Sequence, residues 1–105
     1  MPVSGPIYRF EWDSNKERAR VFKHEGVTFR LASTVVHDPL AVTIYDDDHS
    51  ENEDRWISVG QAANGQTLVV VHTFTQVNAQ HVEVRLISAR KADRQERKDY
   101  EKALR

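Results

Sequence analysis

After Pro39 the spacing of apolar residues changes from helical to a period of two, and that period governs most of the remaining chain. The segments "LAVTIY", "RWISVG", "QTLVVVHTFT" and "HVEVRLIS" read as four strands, the last three joined by short connections. Within the third, "LVVV" at Leu68 to Val71 is apolar on both faces, which places that strand in the centre of a sheet. Asn64 and Gly65 form an "NG" pair between strands, the signature of a type I′ hairpin, whose central residues need positive φ. A four-stranded antiparallel meander is the consequence.

Helical signals flank the strands. "IYRFEWD" alternates Tyr8, Phe10 and Trp12 against Ile7, Arg9 and Glu11, a short N-terminal strand. Ser14 with Glu17 makes a capping box that opens a helix to about His24, and Gly26 stops it. Thr28 caps a second helix with Phe29, Ala32 and Val36 at helical spacing, which ends at "HDP" because the residue before a proline avoids helical backbone. Asp93 and Glu96 form a further capping box for a closing helix from about Ala92. The class is α+β, with two N-terminal helices, a short N-terminal strand, the meander and a C-terminal helix.

The 105 residues suit one domain over 1–105, burying roughly two-thirds of the surface of the unfolded chain, with the proline-bearing segment 1–6 mobile. There is no cysteine, so the chain has neither a disulfide framework nor a thiolate zinc site. No stretch approaches the roughly 20 apolar residues that span a bilayer, and the N-terminus lacks a cationic segment followed by an apolar run. The expectation is a cytoplasmic protein with no membrane contact. Net charge is −1, but its distribution is uneven: six of the nine residues in "DDDHSENED" (46–54) are acidic, whereas the sixteen from Arg90 onward hold seven Lys or Arg against four Asp or Glu.

On the closing helix, Asp93, Arg97, Glu101 and Arg105 alternate in sign at four-residue spacing, a ladder typical of a solvated face. Beside it Arg94, Lys98 and Lys102 make an unpaired cationic row, joined by Lys91, for which solvated surface is the commoner role and phosphate or partner contact the sharper one. Tyr100, Ala103 and Leu104 leave only a narrow apolar stripe. The five histidines show no metal-ligand spacing, and the acidic loop lacks the glycine and glutamate register of an EF-hand, so no metal or other cofactor is expected. His72, in the central strand, reads as a hydrogen-bonded core residue. What remains is Lys23, His24, Glu53, Arg55, Arg85 and Arg90 at strand and helix ends. Metal-free RNA cleavage needs such a set: a base for the 2′-hydroxyl, an acid for the leaving 5′-oxygen, and cations for the charge gathering on phosphate.

Several pieces in order, "FEWD" (10–13), "NK" (15–16), "KH" (23–24) before "GVTF", "HDPLA" (37–41), "DHSENEDR" (48–55), "VVVHT" (69–73) and "RLISARKADRQERKDYE" (85–101), resemble the BrnT family of bacterial type II toxins. Glu25 stands between His24 and Gly26 where the family has no residue. The resemblance implies a RelE-like fold with a strongly curved sheet, and an endoribonuclease toxin that cuts RNA and stops translation. It also implies neutralisation by a BrnA-like ribbon-helix-helix antitoxin, with operator DNA reached only through that antitoxin. By motif, the catalytic candidates are Lys23, His24, Glu53, Arg55 and Arg90, with Arg85, Lys91, Arg94, Lys98 and Lys102 as RNA or partner contacts. A non-enzymatic module that binds the antitoxin through its C-terminal helix is the alternative.

Overall fold

A computed structural model describes residues 5–16 and 27–103. The chain runs β1 (Ile7–Glu11), α1 (Phe29–Val36), β2 (Val42–Tyr45), a single 3₁₀ turn (Asp47–His49), β3 (Trp56–Gln61), β4 (Thr67–His72), β5 (Thr75–Gln76), β6 (His81–Lys91) and α2 (Arg94–Ala103). No helix among the described residues is long and apolar enough to cross a membrane.

The four period-two segments form the expected antiparallel run, β2–β3–β4–β6, with the "LVVV" strand in its middle. Two features correct the expectation of a meander with an appended strand. β1 pairs parallel to β6 at the far edge, Tyr8 opposite Val82 and Phe10 opposite Val84, so the sheet is mixed and has six strands. The segment from Gln66 to Thr75 also breaks: β4 ends at His72, and β5 resumes pairing with β6 at Thr75 and Gln76. A bulge explains the bend there, because Val71 faces Ser88 while His72 faces Leu86, leaving Ile87 unmatched.

Local signals translate unevenly. Thr28 caps α1 as expected, its hydroxyl accepting from Leu31 N at 3.0 Å, but the buried stripe is Phe29, Ala32 and Val35 rather than Val36. At residues 14–16 the chain is helical, and the cap is Asp13, whose Oδ1 accepts from Asn15 N (2.9 Å) and Lys16 N (3.3 Å), in place of Ser14. The remainder of that helix and its stop at Gly26 lie outside the described residues. At "NG", Gly65 N donates to Ala62 O, Ala62 N donates to Gln66 O, and Gly65 takes φ +89°. That is a three-residue loop ending in a left-handed glycine, which replaces the two-residue type I′ turn.

One sheet face carries the core: Leu68, Val70, Val82, Val84, Leu86 and Ala89 close over Val27, Phe29, Ala32 and Val35. His72 is fully buried on it, its Nε2 at 2.8 Å from Ser58 Oγ, which lies 2.7 Å from Thr43 Oγ1. This is the hydrogen-bonded core histidine that the sequence indicates. Burial pushes its pKa down to about 4, the Thr73 backbone opposing.

Asp38, just past α1, gathers distant parts of the chain. Its Oδ2 accepts from Tyr100 Oη of α2 (2.5 Å) and Gln61 N of β3 (2.8 Å), and its Oδ1 from Leu40 N (2.9 Å). Burial would raise this carboxyl, but the Tyr100, Gln61 and Leu40 hydrogen bonds outweigh it and leave its pKa lowered. Tyr100 moves the other way, pushed to about 12 by burial and by its bond to Asp38. Gly60 makes the approach possible: a Cβ there would meet Ala41 Cβ at 2.9 Å and both Asp38 Oδ2 and Val35 Cγ1 at 3.0 Å.

Two outcomes follow in urea or thermal unfolding. Tyr100→Phe should cost about 1–2 kcal/mol and Asp38→Ala more, since the latter strands two backbone N–H groups as well as the hydroxyl; equal stability for both variants would refute the role given to Asp38. For His72, the unfolded imidazole binds its proton near 6.5 and the folded one near 4, so between these values the unfolded state holds more protons. Stability is complete above about pH 6.5 and should fall by about 3 kcal/mol on acidification to pH 4, a slope that His72→Gln removes.

Candidate active site

The acidic segment between β2 and β3 is a closed loop rather than a solvated tail. Asp46 N donates to Arg55 O (2.9 Å), Ser50 Oγ donates to Asp46 O (2.5 Å), and Arg55 N donates back to Ser50 Oγ (3.1 Å), which pins the loop's two ends together. Tyr45 Oη adds a bond to Asp54 Oδ1 at 2.8 Å. Asp46 is buried, and both of its carboxylate oxygens lie 3.1 Å from His49 Nδ1. An ionised carboxylate only accepts, so Nδ1 carries the hydrogen.

Against this loop sits a pocket of about 320 Å³ lined by Asp48, His49, Glu51, Asn52, Glu53 and Arg55. Glu53 Oε1 accepts from Arg85 Nη2 of β6 and lies 3.7 Å from Arg55 Nη2. The strand register brings the two arginines together across the end of β4: Trp56 pairs with His72 and His72 with Leu86, so Arg55 and Arg85 each fall one residue beyond. Arg55 Nε is buried and has no hydrogen-bond partner. Two guanidinium groups thus converge on one carboxylate oxygen, one of them under-satisfied, and both are of the type that binds a phosphate.

Arg90 is elsewhere. It lies five residues beyond Arg85 on β6, about 13–17 Å along a strand. Its Nη1 and Nη2 grip Glu96 Oε1 and Oε2 at 2.7 and 2.8 Å. Glu96 also closes the expected capping box of α2, accepting from Asp93 N (2.9 Å) while Glu96 N donates to Asp93 Oδ1 (2.8 Å). The bond from Arg90 holds the Glu96 pKa down to about 2, and the same bond raises that of Arg90. Arg90 lines a separate, mainly apolar groove of about 460 Å³ between α2 and the outer sheet face, with Val42, Ile44, Ile57, Val59 and Val71.

Of the catalytic residues expected from sequence, the structure therefore brings Glu53 and Arg55 together and sets Arg90 apart. Lys23 and His24 lie outside the described residues. Arg85, one of the set that RNA cleavage needs and by motif a contact residue, pairs with Glu53 in the cluster, and Lys91 at the end of β6 and Arg94, Lys98 and Lys102 along α2 are exposed. His49 was not among the candidates, and no spacing rule marks a histidine three residues after an aspartate. Among the described residues no three His, Asp or Glu side chains converge as metal ligands would.

Because the Glu96 pKa is depressed, the Arg90–Glu96 pair contributes stability above about pH 4.5 that is lost as pH falls towards 2. Glu96→Gln should lower stability by about 0.5–1 kcal/mol at neutral pH, a small value because both side chains are partly exposed. The difference from the unsubstituted protein should vanish in acid; a penalty equal at all pH values would show that the cap, not the ion pair, is responsible.

A family model described as "Ribonuclease toxin, BrnT, of type II toxin-antitoxin system" matches residues 12–96. No curated protein matches the chain.

Proposed function

From the premise that the chain belongs to the BrnT family of ribonuclease toxins of type II toxin-antitoxin systems, we propose that it is a metal-independent endoribonuclease acting at the Glu53–Arg55–Arg85 cluster. The observation that carries the assignment is the convergence of Arg55 and Arg85 on a single carboxylate, with Arg55 Nε buried and unpaired. A phosphodiester seated there takes over the guanidinium donors and releases Glu53 from them. Glu53 is then placed to accept the 2′-hydroxyl proton as O2′ bonds to phosphorus. The P–O5′ bond breaks, the 5′-oxygen takes a proton, and the products are a 2′,3′-cyclic phosphate and a 5′-hydroxyl. Arg55 and Arg85 balance the charge that builds on the non-bridging oxygens. Lys23 and His24 stay in this proposal on the strength of the family motif alone. Arg90 enters it only if Glu96 lets go.

Cleavage of this kind would stop translation, and the family implies an antitoxin partner; a BrnA-like ribbon-helix-helix protein, carrying the toxin to operator DNA, is the partner proposed, and the cytoplasm the place of action. A second reading is favoured by a specific feature. The groove under α2 opens onto Val42 and Ile44, which are 38% and 57% exposed on an edge strand, an apolar surface suited to the antitoxin. The two readings are compatible.

Purified protein should cleave RNA in the presence of EDTA. Arg55→Ala and Arg85→Ala should each reduce the rate about 100-fold or more at an unchanged melting temperature, and activity equal to the unsubstituted protein in both would move the site elsewhere. Ile44→Asp should weaken capture of the co-expressed antitoxin while leaving cleavage intact; the reverse pattern would count against docking in the groove.

A further inference from the structure

The cleavage scheme leaves one proton without a carrier: Glu53 accepts from the 2′-hydroxyl, but the departing 5′-oxygen also needs a donor. We propose that His49 is the second proton-transfer group of this pocket and that Asp46 is its positioning residue, an inference that rests on the ribonuclease reading of the same site.

Four observations support it. His49, Glu53 and Arg55 line one pocket, so two side chains able to exchange protons share it with the guanidinium. The His49 ring is held by one nitrogen only, Nδ1 at 3.1 Å from both Asp46 oxygens, while the side chain remains 67% exposed. With Nδ1–H committed to the carboxylate, Nε2 on the other side of the ring is the atom left to exchange protons with a ligand. Asp46 is buried and fixed through its own backbone to Arg55 O and Ser50 Oγ, so the acceptor that orients the ring is tied to the residue that would hold the phosphate. A histidine serving only to close the 3₁₀ turn would need none of this exposure, since the turn already has the His49 N to Asp46 O and Ser50 Oγ to Asp46 O bonds.

In the forward step, protonated His49 gives its Nε2 proton to O5′ as the P–O5′ bond breaks, and Glu53 ends protonated by the 2′-hydroxyl. Water restores both groups after product release. The charged groups around His49 in this pocket are Asp46, Asp48, Glu51, Glu53 and Arg55, with Arg85 reached through Glu53. Any titration seen in activity is therefore assigned by substitution and not by its midpoint alone.

The test measures single-turnover cleavage of a short fluorogenic oligoribonucleotide from pH 4 to 9 by the full chain, alongside binding of its non-cleavable 2′-deoxy analogue. His49→Gln should bind the analogue as the unsubstituted protein does, cleave about 100-fold more slowly, and lose one limb of the pH–rate profile. His49→Ala should recover part of its rate when imidazole is added, a rescue that no structural role provides. Asp46→Asn should lower the saturating single-turnover rate about tenfold at unchanged binding of the analogue and keep the limb, with Asp46→Glu partly restoring the rate. Should His49→Gln cleave within about twofold of the unsubstituted rate with both limbs intact, or should its binding and cleavage fall together, the assignment is overturned. If His49→Gln does not melt cooperatively, imidazole rescue of His49→Ala and the single-turnover rate of Asp46→Asn decide, and no effect in either overturns it. An unsubstituted protein that cuts no RNA overturns the ribonuclease reading itself, and this assignment with it.

Discussion

The carboxylate of Asp38 sets the arrangement of everything around it. It lies just past the end of α1, receives the backbone of β3 at Gln61 and the turn into β2 at Leu40, and anchors α2 by the hydroxyl of Tyr100. These elements come from four separate parts of the sequence. α2 has a narrow apolar stripe, with Tyr100 its one buried residue, so its placement depends on that hydrogen bond and on the Arg90–Glu96 pair at its start. Burial alone would disfavour both an ionised Asp38 and an ionised Tyr100; a short bond from neutral phenol to charged carboxylate satisfies the two at once. Gly60 is the steric condition for the contact, as a side chain there would displace Asp38 from the strand.

Local rules made much of this fold legible. Period-two alternation marks the four strands of the antiparallel run, continuous apolarity marks β4 as central, and the caps at Thr28 and at Asp93 with Glu96 mark two helix starts. The errors share a cause. The parallel pairing of β1 with β6 joins residues more than seventy positions apart, and nothing in "IYRFE" encodes its partner. The Ile87 bulge and the break at Thr73–Phe74 fall together where β6 passes from pairing β4 to pairing β5, with β1 on its other edge. At Val35 the stripe moved by one residue because the helix faces the Gly60 depression in β3, which Val35 Cγ1 occupies.

The candidate site was legible in its residue types but not in its geometry. Glu53 and Arg55 were visible as a motif, while of the two arginines on one strand the motif ranks Arg90 as catalytic and Arg85 as a contact, and it is Arg85 that pairs with Glu53. Which arginine reaches the loop is fixed by the register of β3, β4 and β6, a non-local quantity. The acidic loop was legible in part: Asp47, Asp48, Glu51 and Asp54 are exposed, as a solvated charge run implies, but three hydrogen bonds close the loop and Asp46 is buried. Within a closed loop, charge density becomes placement, and the same acids position His49 and pair Arg85.

Two arginine–glutamate contacts differ in how far their groups are already used. Arg90 and Glu96 meet end to end: both Nη groups reach both carboxylate oxygens, Nη1 also donates to Lys91 O, and Glu96 also caps α2. Inserting a phosphate there would break the ion pair and the cap together, so that site resists a ligand. Around Glu53 the balance is reversed. One oxygen serves two guanidinium groups, one of them at 3.7 Å, and a buried Nε of Arg55 has nothing to donate to. A buried donor left unpaired costs on the order of 1–3 kcal/mol, which an incoming anion would recover. The spare donor beside Glu53 therefore favours the proposed ribonuclease site there, whereas Arg90 is committed through Glu96 to the start of α2.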